Sequence, residues 1–465
     1  MSISNLDPIT LAVLRSGLIN AVAEMKAVVV RTAYSNLWKE AGDLSCGLLT
    51  SSGELAVQGI GDIPVHLASM PMSVGACLKR IPPETLKPGD VVYQNDPYQG
   101  NTHLPDFIMA KPIFFSGQIV GYSAVRGHYV DVGGGGPGSY SATMPDIYAE
   151  GLRIPPVRIY EEGKINRDIV DVLLHNTRNS RERYGDLRSQ YAGCVAAERR
   201  VLSFCEKYGL ETYQAAMEEI VNASERLTRA AIEKIPDGTY SFEDYCDDDA
   251  IGEEPIKIAS KVTVKGDNIH VDFAGSSPQV RGGMNAPLAV TVSASCYAIK
   301  CLTDPENPPN SGSYRPIKID APAGSVVNPM APAPVIAGNH ETASRIVDVI
   351  IGALAQGCPS ASARLALEAR AYFRLARGCA KRGATASSSW SRRMAPGRVL
   401  ITRETASMPA ASMSAIQAIR RVRRWRSASP SRYCATRSQK TAAAQGAGAA
   451  APASCARSSS STTQR

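Results

Sequence analysis

At Gln356 the chain changes from one kind of polymer into another, and this break decides how much of it can fold. From 357 to 465 there are 18 Arg and 2 Lys against 2 Glu and no Asp, a net charge of +18. The whole chain holds 51 basic and 43 acidic residues, so 1–356 keeps 31 basic and 41 acidic ones, a net of −10. An acidic body thus carries a strongly basic tail. The tail is built from Ala, Ser and Arg, as in Arg420-Arg421-Val422-Arg423-Arg424-Trp425-Arg426, and has too few large apolar side chains to bury a core. It is expected to be disordered, with at most a loose helix around 362–377. An Arg-rich arm can bind polyanions through their phosphates. Out-of-frame translation of GC-rich DNA accounts better for the same composition, so nucleic acid is not an expected partner. The expected division is a folded region 1–356 and a basic tail 357–465.

The acidic region carries ordinary folding signals. Asp7-Pro8 is an N-cap followed by a first-turn proline, and Leu11, Leu14, Leu18, Val22, Met25 and Val29 recur at three- and four-residue steps, which predicts an amphipathic helix. Helices are also predicted over 179–209, ending at Gly209, and over 215–234. Pro236-Asp237-Gly238 then turns the chain into extended structure at Tyr240, Phe242 and Tyr245. Val262 and Val264, then Ile269, Val271 and Phe273, alternate on either side of Gly266-Asp267-Asn268 and read as a hairpin. Long helices mixed with local hairpins predict an α+β fold. The longest aliphatic run near the start is Ala27-Val28-Val29-Val30, too short for a signal peptide or a membrane span, so a cytoplasmic protein without a membrane partner is expected. The 11 cysteines include no Cys-x-x-Cys pair, which fits reduced thiols.

The chemistry concentrates in 91–137. Asn95-Asp96-Pro97-Tyr98 is followed by His103-Leu104-Pro105-Asp106, then by His128-Tyr129-Val130-Asp131 and the run Gly133-Gly134-Gly135-Gly136-Pro137. Two of the chain's 6 histidines therefore stand in His-x-x-Asp spacing within one window. The apolar runs 107–115 and 118–125 meet at Ser116-Gly117 and predict a hairpin. With those two residues as the turn, partners sum to 233 and His128 falls opposite Pro105. Pro112 could add a bulge that shifts this register by one or two residues. In either case His103, Asp106 and His128 come together. Two imidazoles and a carboxylate suit a divalent transition metal. Asp96 or Asp131 could orient a ligand or act as a general base. The plain alternatives are a histidine bonded to backbone, an Asp-Pro turn starter and a flexible glycine turn. The glycine run lacks the layout of a nucleotide-binding loop.

These strings resemble the hydantoinase B/oxoprolinase family. So do Arg31-Thr32-Ala33-Tyr34-Ser35, Ile63-Pro64-Val65-His66-Leu67, Glu150-Gly151-Leu152-Arg153, Gly185-Asp186-Leu187-Arg188, Gly275-Ser276-Ser277-Pro278, Asn285-Ala286-Pro287-Leu288 and Asn339-His340-Glu341-Thr342, in the family's order. The resemblance runs from Asp7 to about Gln356 and stops close to the charge reversal, as a frameshift would make it; loss of stability or activity is the expected consequence.

The resemblance implies a catalytic B-type subunit that acts with an A-type ATPase subunit. The partner uses ATP to activate a carbonyl oxygen by phosphorylation, and the B-type chain completes hydrolysis of a cyclic amide such as a hydantoin or 5-oxoproline. In ketone carboxylases of the family the reaction is instead carboxylation of a ketone. A third possibility is a decayed, noncatalytic relative whose tail binds polyanions. The resemblance also implies a metal, manganese, iron or zinc, on His103, Asp106 and His128, with Asp96, Asp131 and His340 as candidates for proton transfer. Many family members have a second histidine where this chain has Tyr129.

Overall fold

A computed structural model describes residues 6–66, 68–305 and 307–357. The basic tail, with the helix expected near 362–377, lies outside the described residues.

The architecture is α+β. The chain opens with α1 (Pro8–Thr32), whose first turn is capped by the Asp7 carboxylate accepting from the Thr10 amide; Leu14, Leu18, Val22, Met25 and Val29 form its buried stripe. The hairpin β1 (Leu44–Leu49) and β2 (Leu55–Gln58) follows, then α2 (Ser69–Arg80) and β3 (Val91–Gln94). Next come β4 (Asp106–Phe115), β5 (Gln118–His128), the single turn α3 (Ile147–Glu150), β6 (Val157–Glu161), β7 (Lys164–Ile165) and α4 (Arg167–His175). These strands form one antiparallel sheet in the order β2-β1-β5-β4-β3-β6-β7.

Two long helices, α5 (Ser180–Tyr208) and α6 (Leu210–Ile232), lead into β8 (Gly238–Cys246), β9 (Ile256–Lys265) and β10 (Asn268–Asp272). Gly209 separates the helices with φ of 82°, a value that lets the second begin at once, so α6 starts five residues before the position the sequence suggested. The chain continues through α7 (Leu288–Thr303), α8 (Ser311–Tyr314), β11 (Ile317–Asp320) and α9 (Glu341–Leu354). The second sheet has the order β11-β10-β9-β8, and its β9–β10 hairpin turns at Gly266-Asp267 as predicted.

Burial on both faces of the large sheet explains its nearly unbroken apolar strands. One face presents Cys46, Phe107, Val125 and Tyr129 to a core shared with Met25 and Val29 of α1 and Leu187 and Cys194 of α5. The other presents Leu49, Ile108, Ala110, Tyr122 and Ala124 to Met70, Val74 and Cys77 of α2. The second sheet builds its own core from Ile258, Val262, Val271 and the buried faces of α7 and α9. No helix among the described residues is long and apolar enough to cross a membrane.

Candidate metal centre

The site begins with a tight turn. Ser116 and Gly117 both take positive φ, 49° and 81°, as a two-residue hairpin of right-handed twist requires. Phe115 pairs with Gln118 and Phe114 with Ile119, but Ile113 pairs with Gly121, leaving Val120 as the extra residue of a bulge beside Pro112. Beyond it partners sum to 234. His128 therefore stands opposite Asp106, not opposite Pro105, and the two side chains share a face. The register shift falls between Ile113 and Phe114, close to Pro112, which has no N–H to give the ladder.

His103 arrives from the loop before β4. The Asn101 amide donates to the carbonyls of Asp106, at 2.5 Å, and of His103, and Tyr129 N–H donates to Pro105 O at 2.8 Å. On the other side, Trp38 donates its indole N–H to His128 O at 2.7 Å and packs so closely on Gly127 that a Cβ there would lie 2.2 Å from its ring. Both ends of the hairpin are thereby fixed.

His103 Nε2, Asp106 Oδ1 and His128 Nδ1 form a triangle with sides of 3.1, 3.1 and 3.2 Å. Ligands at neighbouring corners of an octahedron, about 2.1 Å from a metal, are about 3 Å apart, so the donor set fits a divalent ion bound on one face with the remaining positions left for water or substrate. These three form a group able to hold a metal among the described residues. Burial alone would raise the Asp106 carboxyl, but the imidazoles of His103, His66 and His128 hold it well below the usual carboxylate range. Burial lowers His103 despite the pull of Asp106. The same burial acts on His128, yet its hydrogen bond to Asp106 and the charge of Asp43 move it upward. His103 and Asp106 are almost fully buried while the His128 side chain is 19% exposed, so the triangle is reached from the His128 side.

The segment before α9 closes over His103. Ile336 O lies 3.4 Å from His103 Nδ1, and the Asn339 amide nitrogen lies 3.4 Å from His103 Nε2. Asn339 Oδ1 and His340 Nε2 are both buried without a hydrogen-bond partner among the described residues. The His340 ring stacks on Tyr140, with centroids 5.4 Å apart. Glu150 props the segment from below: its Oε1 accepts from the Val335 and Ile336 amides, and burial raises its carboxyl to about 8 against those two bonds.

The other two candidates serve loops. Asp96 caps a short turn by accepting from Tyr98 N–H and the Gln99 amide. Asp131 accepts from the amides of Gly133, Gly138 and Arg178 and from the Arg178 guanidinium, which organises the glycine run. Sequence reasoning passed over three neighbours of the triangle: His66, Thr102 and Asn339. Thr102 was visible beside His103, whereas His66 and Asn339 are 37 and 236 residues away from it and carry no local spacing signal.

The family model of hydantoinase B/oxoprolinase matches residues 7–375. The chain belongs to this family. The match extends past the charge reversal at Gln356 into residues outside the described part. Caprolactamase subunit beta of Pseudomonas jessenii is 33% identical over 357 residues, covering 77% of this chain and 61% of that protein. The 5-oxoprolinase of Saccharomyces cerevisiae is 33% identical over 364 residues, covering 75% of this chain and 28% of the yeast protein. The chain thus spans less than two thirds of the length of these hydantoinase B/oxoprolinase relatives. The crystal structure of the ATP-dependent caprolactamase from Pseudomonas jessenii superposes with a TM-score of 0.72 at 32% identity, covering 77% of this chain and 61% of that one. Nucleotide-free acetone carboxylase shares the fold at 20% identity, with a TM-score of 0.70 over 76% of this chain and 48% of that one.

Proposed function

We propose that this chain is the metal-bearing B-type subunit of an ATP-dependent enzyme that hydrolyses a small cyclic amide of the hydantoin or 5-oxoproline type, with an A-type ATPase subunit as partner. The observation that carries the reading is the triangle of His103 Nε2, Asp106 Oδ1 and His128 Nδ1, with Asn339 against His103 and its Oδ1 buried without a partner among the described residues. The ATP-dependent caprolactamase supports the reaction class by sequence as well as by fold.

His103, Asp106 and His128 would hold a divalent ion, manganese, iron or zinc, which would supply Lewis acidity for a carbonyl oxygen or a water. The protein's residues do the rest. Ile336 O takes the Nδ1 proton of His103 and so turns the Nε2 lone pair into the triangle. Asp106 contributes the charge and His128 faces the approach. Among the three proton-transfer candidates His340 has a ring nitrogen without a partner among the described residues, whereas Asp96 and Asp131 hold loops. ATP is assigned to the partner, since 1–356 contains no phosphate-cradling loop. The reading of 357–465 as out-of-frame translation belongs to this proposal although the family match runs on to residue 375; a shifted frame downstream of codon 356 that restores no family-like sequence would refute it.

The test is elemental analysis of the full chain followed by assay with its partner. The expected result is a divalent ion bound by wild type and lost in His103→Ala and His128→Ala, with ring opening and ATP hydrolysis only when both subunits are present. Metal-free wild type, metal retained in both variants, or ATP turnover by this chain alone would each overturn the corresponding part.

A further inference from the structure

Asp106 has two carboxylate oxygens with different company. Oδ1 faces His103 Nε2 and His128 Nδ1 at 3.1 and 3.2 Å. Oδ2 accepts from the Thr102 hydroxyl and lies 3.1 Å from His66 Nε2. His66 is 1% exposed, and its other nitrogen, Nδ1, lies 2.9 Å from Ser45 Oγ. Ser45 Oγ in turn accepts from the Ile63 amide at 3.2 Å.

The donors and acceptors of this chain can be ordered in one consistent way. Ser45 Oγ takes the Ile63 proton, so its own hydroxyl proton is available for His66 Nδ1. With Nδ1 accepting, the imidazole carries its proton on Nε2 and donates it to Asp106 Oδ2. Thr102 and His66 then occupy Oδ2, and Oδ1 is left for the space shared with His103 and His128. The chain is anchored at its far end, because Cys46 N–H and Lys26 Nζ bind the two oxygens of Asp62, at 2.8 and 2.5 Å, and tie the loop carrying His66 to α1 and β1.

We propose that His66 is the positioning residue of the metal centre: through Ser45–His66–Asp106 it pins Oδ2 and presents Oδ1 as the single carboxylate ligand atom. This rests on the metal reading above. Hydrogen-bonded partners of a ligating group hold its orientation, and their removal typically lowers metal affinity by about 10- to 100-fold. Without His66 only the Thr102 hydroxyl holds Oδ2, so the carboxylate turns more easily about its χ2 bond and the third corner of the triangle is less firmly fixed.

The test titrates cobalt(II) into the full-length chain against a competing chelator, reading both the affinity and the visible ligand-field spectrum. His66→Ala is expected to lose about 10- to 100-fold in affinity with an altered spectrum. His66→Gln, whose amide can still donate to Oδ2, should recover most of both. Ser45→Ala, which keeps the imidazole but removes the bond that fixes its tautomer, should fall in between. Should His66→Ala fail to fold, the other two variants decide, and a Ser45→Ala protein indistinguishable from wild type overturns the proposal. Cobalt bound by wild type and equally well, with the same spectrum, by a folded His66→Ala protein overturns it while leaving the metal reading intact. If wild type itself binds no cobalt, the metal reading fails and this proposal falls with it.

Discussion

His128 faces Asp106 across the β4–β5 ladder only because Val120 has no partner. A regular ladder from the Ser116-Gly117 turn would place His128 across from Pro105, and a one-residue slip sends every side chain to the opposite face. The bulge therefore belongs to the site although it lies far from it along the strand. Closure of the site end by Trp38 is the complementary device, since the indole bonds His128 O and rests on Gly127.

This gives a first prediction for Gly127. A methyl group at that position meets the Trp38 ring, so Gly127→Ala must displace either the indole or the strand, at a cost of about 1–3 kcal/mol. The expected outcome is a clear loss of thermal stability together with weakened metal binding, measured by calorimetry and elemental analysis on the same preparation. A variant as stable as wild type would show that Trp38 moves freely and does not hold His128.

Much of this was legible from local pattern. The α1 stripe, the two hairpins and the meeting of His103, Asp106 and His128 follow from periodicity, turn residues and strand length, all of which act over a few residues. What stayed hidden depends on partners distant in sequence. Helix α7 buries residues around its whole circumference, from Ala289 to Lys300, and so shows no amphipathic period. Gln58 and Gln94 are buried polar residues at the ends of apolar strands, which their residue type alone does not announce. His66 and Asn339 reach the site from other elements, and no spacing rule connects them to His103.

A second prediction concerns Asp131. Its carboxylate takes four protein donors, so its role is to order the Gly133–Gly136 turn against Arg178. Asp131→Asn keeps one acceptor oxygen and should cost about 1–3 kcal/mol in stability. Metal content should remain at the wild-type level. Loss of the metal with unchanged stability would instead return Asp131 to the centre itself.

The third prediction is a pH dependence centred on Glu150. The folded carboxyl titrates at about 8 against a reference of 4.5, because burial opposes its charge more strongly than the amides of Val335 and Ile336 favour it. Between those values the folded protein holds a proton that the unfolded chain has released, so this group's contribution to stability falls as pH rises from about 4.5 through about 8. Glu150→Gln keeps an acceptor for the two amides and removes the titration. The difference in melting temperature, variant minus wild type, should therefore increase steadily from about pH 5 to about pH 8. A flat difference would show that the carboxylate remains charged in the folded state.

The last prediction separates metal binding from proton transfer. His340 stands at the start of α9 with Nε2 buried and without a partner among the described residues, its ring stacked on Tyr140 and its Nδ1 3.5 Å from Glu341. Its neighbour in the chain, Asn339, touches His103, and His340 is not one of the triangle's corners. A ring nitrogen with no protein partner is available to exchange a proton with substrate or water, and such a group typically contributes about 10²- to 10⁴-fold in rate. His340→Ala should therefore keep its metal and its fold while kcat, measured with the ATPase partner present, drops by that factor. His340→Gln fills the same space and can hydrogen-bond but cannot carry the proton, so it should be as slow as the alanine variant. Recovery of activity in the glutamine variant would assign His340 to packing against Tyr140 and move the search for the proton carrier to the substrate or the bound water.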